Sequence, residues 1–340
     1  MRSPARWKAA STLAAFGLAA VLLYFSLRGI DWRGVWKLLG DAKPGKLAIA
    51  CAIATFGLFL RAARWRILLC AERPVRMYDA FWATCAGYFG NNFLPARAGE
   101  LIRTYIIHTN SGLSTAYVLT TALAERFADA ITLVTISAVA LLTLPEQPDW
   151  LVHASKPFAI LGICGILGLA LAPRFSYIGD GLIDRLLPRP VREKMHSILD
   201  HVIRGIRAFH DVRRLAGFGA MTLVIWSNDA LFTVIVARAV DLKIEVPVAF
   251  LLLAGLGLAS ALPSTPGYVG IYQFVAVSVL VPFGISRTDA IGYIVLSQAL
   301  QYLVVGSLGA VGFWKVRKKS FGNIPYQPLR DPEQSLSHLS

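Results

Sequence analysis

Glu125, Arg126 and Asp129 stand within a long apolar stretch, 113–144. At the centre of a membrane span each such charge costs about 2.5–3.5 kcal/mol, against a few tenths gained per leucine, so the three must point into protein rather than lipid. On a helix Glu125 and Asp129 share a face, and Arg126 is turned from them by about 100°. Two chemistries fit. One is a site for a charged headgroup or a proton relay. The other is an arginine that neutralises the acids and pins helices together. A second group, Arg97, Glu100 and Arg103, flanks the break Leu94-Pro95-Ala96-Arg97-Ala98-Gly99. A helix that restarts after Pro95 offers its N-terminus to an anion, and an arginine beside it adds a bidentate phosphate clamp. The alternative is that Arg97 and Glu100 pair with each other or with Glu125 and Arg126. Asn228 and Asp229 interrupt another apolar run, where structural hydrogen bonding is the first expectation and cavity lining the second.

Other chemistries find little support. Cys51, Cys70, Cys85 and Cys164 form no CxxC pair, and His196 and His201 are five apart, which is not metal-ligand spacing. Gly255-Leu256-Gly257 lies in an apolar run with no βαβ pattern around it, so close helix packing explains it better than a dinucleotide. No GxSxG, HExxH or P-loop is present. The expectation is therefore no catalytic set, no metal, no cofactor and no enzyme. The net charge of +14 sits in clusters between apolar runs, which points to cytoplasmic loops rather than to nucleic acid.

The elements that position these groups are membrane helices. Hydrophobic residues make up 56% of the 340 and charged residues 16%, both displaced from a soluble domain in the same direction. Apolar runs occupy 9–27, 47–60, 130–144, 158–172, 215–240, 246–262 and 290–314. The first is too long for a signal peptide and lacks a cleavage site, so it reads as an uncleaved span. With the basic N-terminus inside, residues 61–76, 174–214 and 315–319 also fall inside, and 145–156 and 241–246 outside. Residues 28–46 then fall outside despite five basic residues. Trp32, Val35, Trp36 and Leu39 suggest that they form a helix at the interface. These sides force 78–110 to enter and leave on one face, and 247–283 to do so on the other. Both hairpins turn at Leu-Pro-x-x-x-Gly, the second at Pro263, Pro266, Gly267 and Gly270. Interrupted helices in corresponding places and opposed orientation point to an inverted-repeat transporter with a midplane site.

The expected fold is thus an all-α integral membrane protein. It has about six full transmembrane helices, two re-entrant helical hairpins of opposite orientation and an inverted repeat. Residues 1–320 form the membrane domain, with a cytoplasmic amphipathic loop at 174–214, and 321–340 a flexible cytoplasmic tail. Met195, Ile198, Leu199, Val202, Ile203, Ile206 and Phe209 follow helical spacing in that loop, as for a helix on the bundle or on anionic lipid.

Asn92-x-Leu94-Pro95-x-Arg97-x-Gly99-Glu100-x-x-Arg103, then Glu125-Arg126-x-x-Asp129, then Pro263-x-x-Pro266-Gly267-x-x-Gly270 resemble the membrane region of lysylphosphatidylglycerol synthases, the flippase-like family. Arg61-x-x-Arg64-Trp65 fits as well, and the resemblance covers about residues 5–320. It implies a stand-alone member without the aminoacyl-transfer domain, in a bacterial cytoplasmic membrane with both termini cytoplasmic. The implied role is a lipid flippase-like transporter that binds a polar or phosphate-containing headgroup through Asn92, Arg97, Glu100, Arg103, Glu125, Arg126 and Asp129. The alternative is an accessory subunit of a lipid or glycolipid pathway. Partners would be membrane lipids, anionic or isoprenoid-linked, and a lipid-pathway enzyme. The chain departs from the family at Gln273, where members often carry an acid; glutamine cannot titrate, which weighs against proton coupling there.

Overall fold

The computed structural model describes residues 21–94, 98–143, 211–260 and 266–321. Within them the chain is helical, with no strand. Residues 21–27 form α1, the described end of the first apolar run. The helices that follow are α2 (Trp32–Gly40), α3 (Pro44–Leu69), α4 (Met77–Phe93), α5 (Gly99–Ser111), α6 (Thr115–Thr143), α7 (Val212–Ala239), α8 (Val246–Ala259), α9 (Ile271–Leu280) and α10 (Arg287–Phe321). Short 3-10 turns at Pro266–Tyr268 and Val281–Phe283 bracket α9. The apolar run 158–172, the amphipathic segment 195–209 and the tail 322–340 lie outside the described residues.

Local sequence sets the helix ends. Asp31 and Asp211 accept hydrogen bonds from backbone N–H groups at the starts of α2 and α7. Pro44 opens α3, where its missing N–H costs nothing, and Gly112 closes α5 in the left-handed region. Three helices, α3, α7 and α10, are long and apolar enough to cross a membrane. With 29 residues α6 is also long, at about 43 Å, but it carries the charges at its centre. The surface is apolar along these helices: Leu123, Phe127, Leu223, Leu231 and Leu303 are all more than half exposed. The mid-helix charges Arg61, Arg64, Glu125, Asp129 and Asp229 turn inward, the reverse of a soluble protein.

Helices α3–α6 and α7–α10 follow the same order: long helix, short helix, break, short helix, long helix. They run in opposite directions. At one end of the bundle the Lys43 N–H donates to the Ala239 carbonyl (2.9 Å), Lys46 Nζ to the Arg238 carbonyl (2.7 Å) and Arg287 to the Arg28 carbonyl (3.1 Å). At the other, Arg73 donates to the Ser111 carbonyl (3.3 Å) and the Tyr117 hydroxyl to the Leu68 carbonyl (2.8 Å). These groupings keep 28–46 and 241–246 together, apart from 66–78, 111–117 and 211–218. The most extensive packing is α3 on α7. Each short-helix pair then packs on the last helix of the other half, α4 on α10 and α8 on α6.

The pairs α4–α5 and α8–α9 are helical hairpins that start from opposite ends. Their helices have 17, 13, 14 and 10 residues. At 1.5 Å per residue they are about 15–25 Å long, short of a hydrocarbon core of about 30 Å. The first hairpin closes tightly: a Cβ on Gly99 would lie 1.8 Å from the Gly87 carbonyl oxygen, so no larger residue fits. The end of α4 meets the second break. Helix α4 packs on the Pro266–Tyr268 turn, and the Phe93 ring lies 5.9 Å from that of Tyr302 on α10. The Tyr302 hydroxyl donates to the Gly267 carbonyl.

Candidate functional site

An ionic cluster occupies the bundle interior beside the first break. Arg64 is 1% exposed and lies on α3. It donates to Glu125 (2.9 Å), to Asp129 (2.9 Å) and to the Thr222 hydroxyl of α7 (3.1 Å). Arg103 on α5 reaches the other Glu125 oxygen (3.0 Å) and pairs with Glu100, three residues before it. Glu100 receives Arg126 from α6 (3.0 Å) and Asn91 Nδ2 from α4 (3.3 Å). Beside this chain Arg61 pairs with Asp229 of α7 and donates to the Gly57 carbonyl (3.2 Å). Four arginines therefore meet four carboxylates across α3, α5, α6 and α7.

Aromatic rings carry the cations further. Arg103 lies over Trp65 at 4.6 Å, and Arg64 over Phe218 at 5.0 Å. Tyr88 of α4 takes both Arg61, at 5.8 Å, and Arg126, at 5.4 Å. Such contacts satisfy guanidinium planes that water cannot reach. Asn91 Oδ1 is buried beside the break with no donor among the described residues.

The cluster grades from closed to open. The side chains of Arg64, Arg103 and Glu125 are 2–4% exposed. That of Arg126 is 40% exposed. It lies beside the exposed apolar positions Leu123 and Phe127, where a charge needs water or a polar group next to it. A buried ion set of this kind is destabilised sharply by loss of one member, because the partner is left charged and unpaired.

The second break is held without ions. Gly267 and Gly270 adopt φ of +74° and +91°, the left-handed region that favours glycine. The Gly270 N–H donates to Gln273 Oε1 (2.7 Å), Gln273 Nε2 to Gln298 Oε1 (2.6 Å), and Gln298 Nε2 to the Gly267 carbonyl (3.0 Å). Gln273 and Gln298 are buried, so this amide chain satisfies backbone groups that the break leaves over.

Five of the seven residues expected to bind a ligand come together: Glu100, Arg103, Glu125, Arg126 and Asp129. Asn92 lies half-buried on the last turn of α4. Arg97, Pro95 and Pro263 lie outside the described residues, and Pro266 opens the 3-10 turn. Two expectations change. Arg126 does not neutralise its own helix neighbours; it faces Glu100, while Arg64 takes Glu125 and Asp129, the two that share a face. The span predicted to end near residue 60 runs on as helix to Leu69, so Arg61 and Arg64 are interior groups and not loop residues. Charge counting misassigned them because a basic pair after an apolar run reads as a cytoplasmic flank. Their spacing of three, which puts both near one helix face, was the available signal. Asp229, read as a hydrogen-bonding interruption, is the partner of Arg61. Tyr88, Gln298 and Tyr302 had no sequence signal.

A helical membrane protein with paired hairpins and a buried ionic cluster is the class that fold and site define. The chain belongs to the family described as the lysylphosphatidylglycerol synthase TM region, whose model matches residues 12–309. It is similar to glycosyltransferase AglD of Haloferax volcanii, at 25% identity over 88% of this chain and 53% of that protein. The chain thus spans about half the length of that relative. It is also similar to UPF0104 membrane protein MJ1078 of Methanocaldococcus jannaschii, at 20% identity over 68% of this chain and 95% of that protein.

Proposed function

We propose that the chain is a lipid transporter that takes the polar or phosphate-containing headgroup of a membrane lipid at the ionic cluster and passes it between leaflets. The observation that carries this reading is the Arg126 side chain, 40% open in an otherwise closed, mid-helix ionic cluster. A guanidinium held on one side by Glu100 has its remaining N–H groups available to an anion. The hairpins α4–α5 and α8–α9, each helix too short to span, would be re-entrant from opposite leaflets, with their breaks meeting at the midplane. The end that gathers 66–78, 111–117 and 211–218 would face the cytoplasm, because its loops are basic. Six spans would then flank the hairpins, with both termini cytoplasmic.

The test is movement of labelled lipid across vesicles that contain the purified chain. Wild type moves lipid, and Arg126→Ala slows it about tenfold or more while folding is kept, since Glu100 retains Arg103 and Asn91. Wild-type vesicles that move no lipid of any headgroup class would sink the reading. A second reading is a non-transporting accessory subunit for an enzyme of a lipid or glycolipid pathway. The match to about half of a protein named a glycosyltransferase favours it. Stoichiometric recovery of one such enzyme with the chain, with no lipid movement, would put it first.

A further inference from the structure

The ionic cluster has a closed floor and an open rim. Arg64, Arg103 and Glu125 form the floor. The rim holds Arg126 and Glu100, at 40% and 18% side-chain exposure, and Arg61 and Asp229, at 18% and 15%. Tyr88 joins the two rim arginines, each within 6 Å of its ring. Each rim arginine is tied down by a single carboxylate. Arg126 spends Nε and Nη2 on Glu100; Arg61 spends Nη2 on Asp229 and Nη1 on the Gly57 carbonyl. Among the described residues, Nη1 of Arg126 and Nε of Arg61 have no hydrogen-bond partner. Gly57 is what lets Arg61 fold back: a Cβ there would come within 3.0 Å of Arg61 Nη1 and 2.9 Å of Asn228 Nδ2.

We propose that Arg61 and Arg126, joined through Tyr88, form one anion subsite for a phosphate ester. It deepens the headgroup reading and rests on it. Two guanidinium groups that each keep one nitrogen without a partner suit a tetrahedral, oxygen-rich anion, since each can donate to a different oxygen. Asp229 and Glu100 hold the guanidinium groups in position, and both groups lie within 6 Å of the Tyr88 ring centroid. Arg61 and Asp229 come from α3 and α7, the first helices of the two halves, so the ligand would contact both halves at once.

The test is ligand binding by the full chain in detergent micelles, titrated in one arm with inorganic phosphate and in the other with dihexanoyl phosphatidic acid. The double variant Arg61→Ala/Asp229→Ala removes both partners and leaves no orphan charge. It is expected to weaken binding about tenfold or more, with the unfolding temperature kept. Gly57→Ala, which leaves every charge in place, is expected to weaken it several-fold by crowding Arg61. If the double variant does not fold, Arg61→Lys keeps the ion pair and loses the fork; wild-type affinity in that variant overturns the subsite. So does wild-type affinity in the folded double variant, or no binding by wild type in either arm. Binding of the lipid phosphate alone assigns the subsite to a headgroup, and binding of both assigns it to phosphate in general. The outcomes separate from those of the transport test. Lipid movement with unchanged affinity in the double variant removes only the role of Arg61, and lost affinity without lipid movement leaves a binding subsite and removes transport.

Discussion

In the first half of the chain, the helix after the break is tied to its surroundings by ions: Glu100 and Arg103 on α5 meet Arg126 and Glu125 on α6. In the second half, the helix after the break is tied by neutral groups: Gln273 on α9 meets Gln298 on α10, and Tyr302 holds the break itself. The positions correspond. Glu125 and Asp129 are four apart on the last helix of their half, as are Gln298 and Tyr302 on theirs. Gln273 sits in the first turn of α9 as Glu100 does in that of α5. Two halves with one architecture have thus been given different interiors. Ions are costly to bury and can exchange partners with a charged ligand; amides satisfy a broken backbone and offer a ligand no net charge. On the headgroup reading proposed above, ligand contact would fall to the ionic cluster beside the first hairpin and a structural role to the second.

Glu125→Ala should have the largest effect. It takes one carboxylate from both Arg64 and Arg103 at one stroke, leaving Arg64 with Asp129 and Arg103 with Glu100, and removal of one partner from a buried ion set costs about 3–5 kcal/mol. Thermal unfolding in detergent should show a large drop, and an unchanged midpoint would mean that the first half is not held by ions. Gly99→Ala follows. Its Cβ meets the Gly87 backbone at 1.8 Å, whereas a Cβ on Gly255 of the second hairpin meets a movable Val275 methyl at 2.8 Å. Overpacking of this kind costs about 1–3 kcal/mol, and Gly99→Ala should exceed Gly255→Ala by the same measurement. Tyr302→Phe removes two neutral hydrogen bonds, one donated to the Gly267 carbonyl and one accepted from Gln298 Nε2, at about 0.5–1.5 kcal/mol each, and should leave the binding of any anion unchanged. An affinity loss in Tyr302→Phe would break the division of roles between the hairpins.

Gln273→Glu sharpens the comparison, since it puts an acid where the first half has Glu100. A carboxylate can still accept from the Gly270 N–H but cannot donate to Gln298, so that amide must turn and release the Gly267 carbonyl. The expected result is a less stable second hairpin without new anion affinity. The smallest effect belongs to the seam between the halves, where Lys43 hydrogen-bonds to the exposed Asp241 and holds its carboxyl below the usual range. A depressed acid contributes above its unfolded pKa of about 4 and ceases to contribute as pH falls through the lower folded value. Asp241→Asn should therefore flatten a slight loss of stability below about pH 4, seen as a smaller shift in unfolding midpoint.

Much of this was legible in the residue order. Apolar runs marked the long helices, and Pro95/Gly99 with Pro266/Gly267 marked two breaks, because a helix lacks the backbone geometry to pass through them. The spacing of Glu125 and Asp129 put them on one face, where a single arginine now serves both. The partners of these acids were not legible. Arg64 comes from 61 residues earlier in the chain and Asp229 pairs with an arginine 168 residues away. Helical periodicity says which side chains share a face and nothing about which other face they meet. That choice is made by packing, and here the packing of α3 on α6 and on α7 sets it.

By itself the sequence determined a membrane helix bundle with two opposed interruptions and an interior that must hide its charges, because hydrocarbon tolerates neither open backbone nor lone ions. Only the tertiary structure decided that Arg61 and Arg64 are interior groups, that four arginines find four acids, and that Arg126 is the most open member of the set. The reason is physical: burial and pairing are properties of helices brought together over distances that no local spacing encodes.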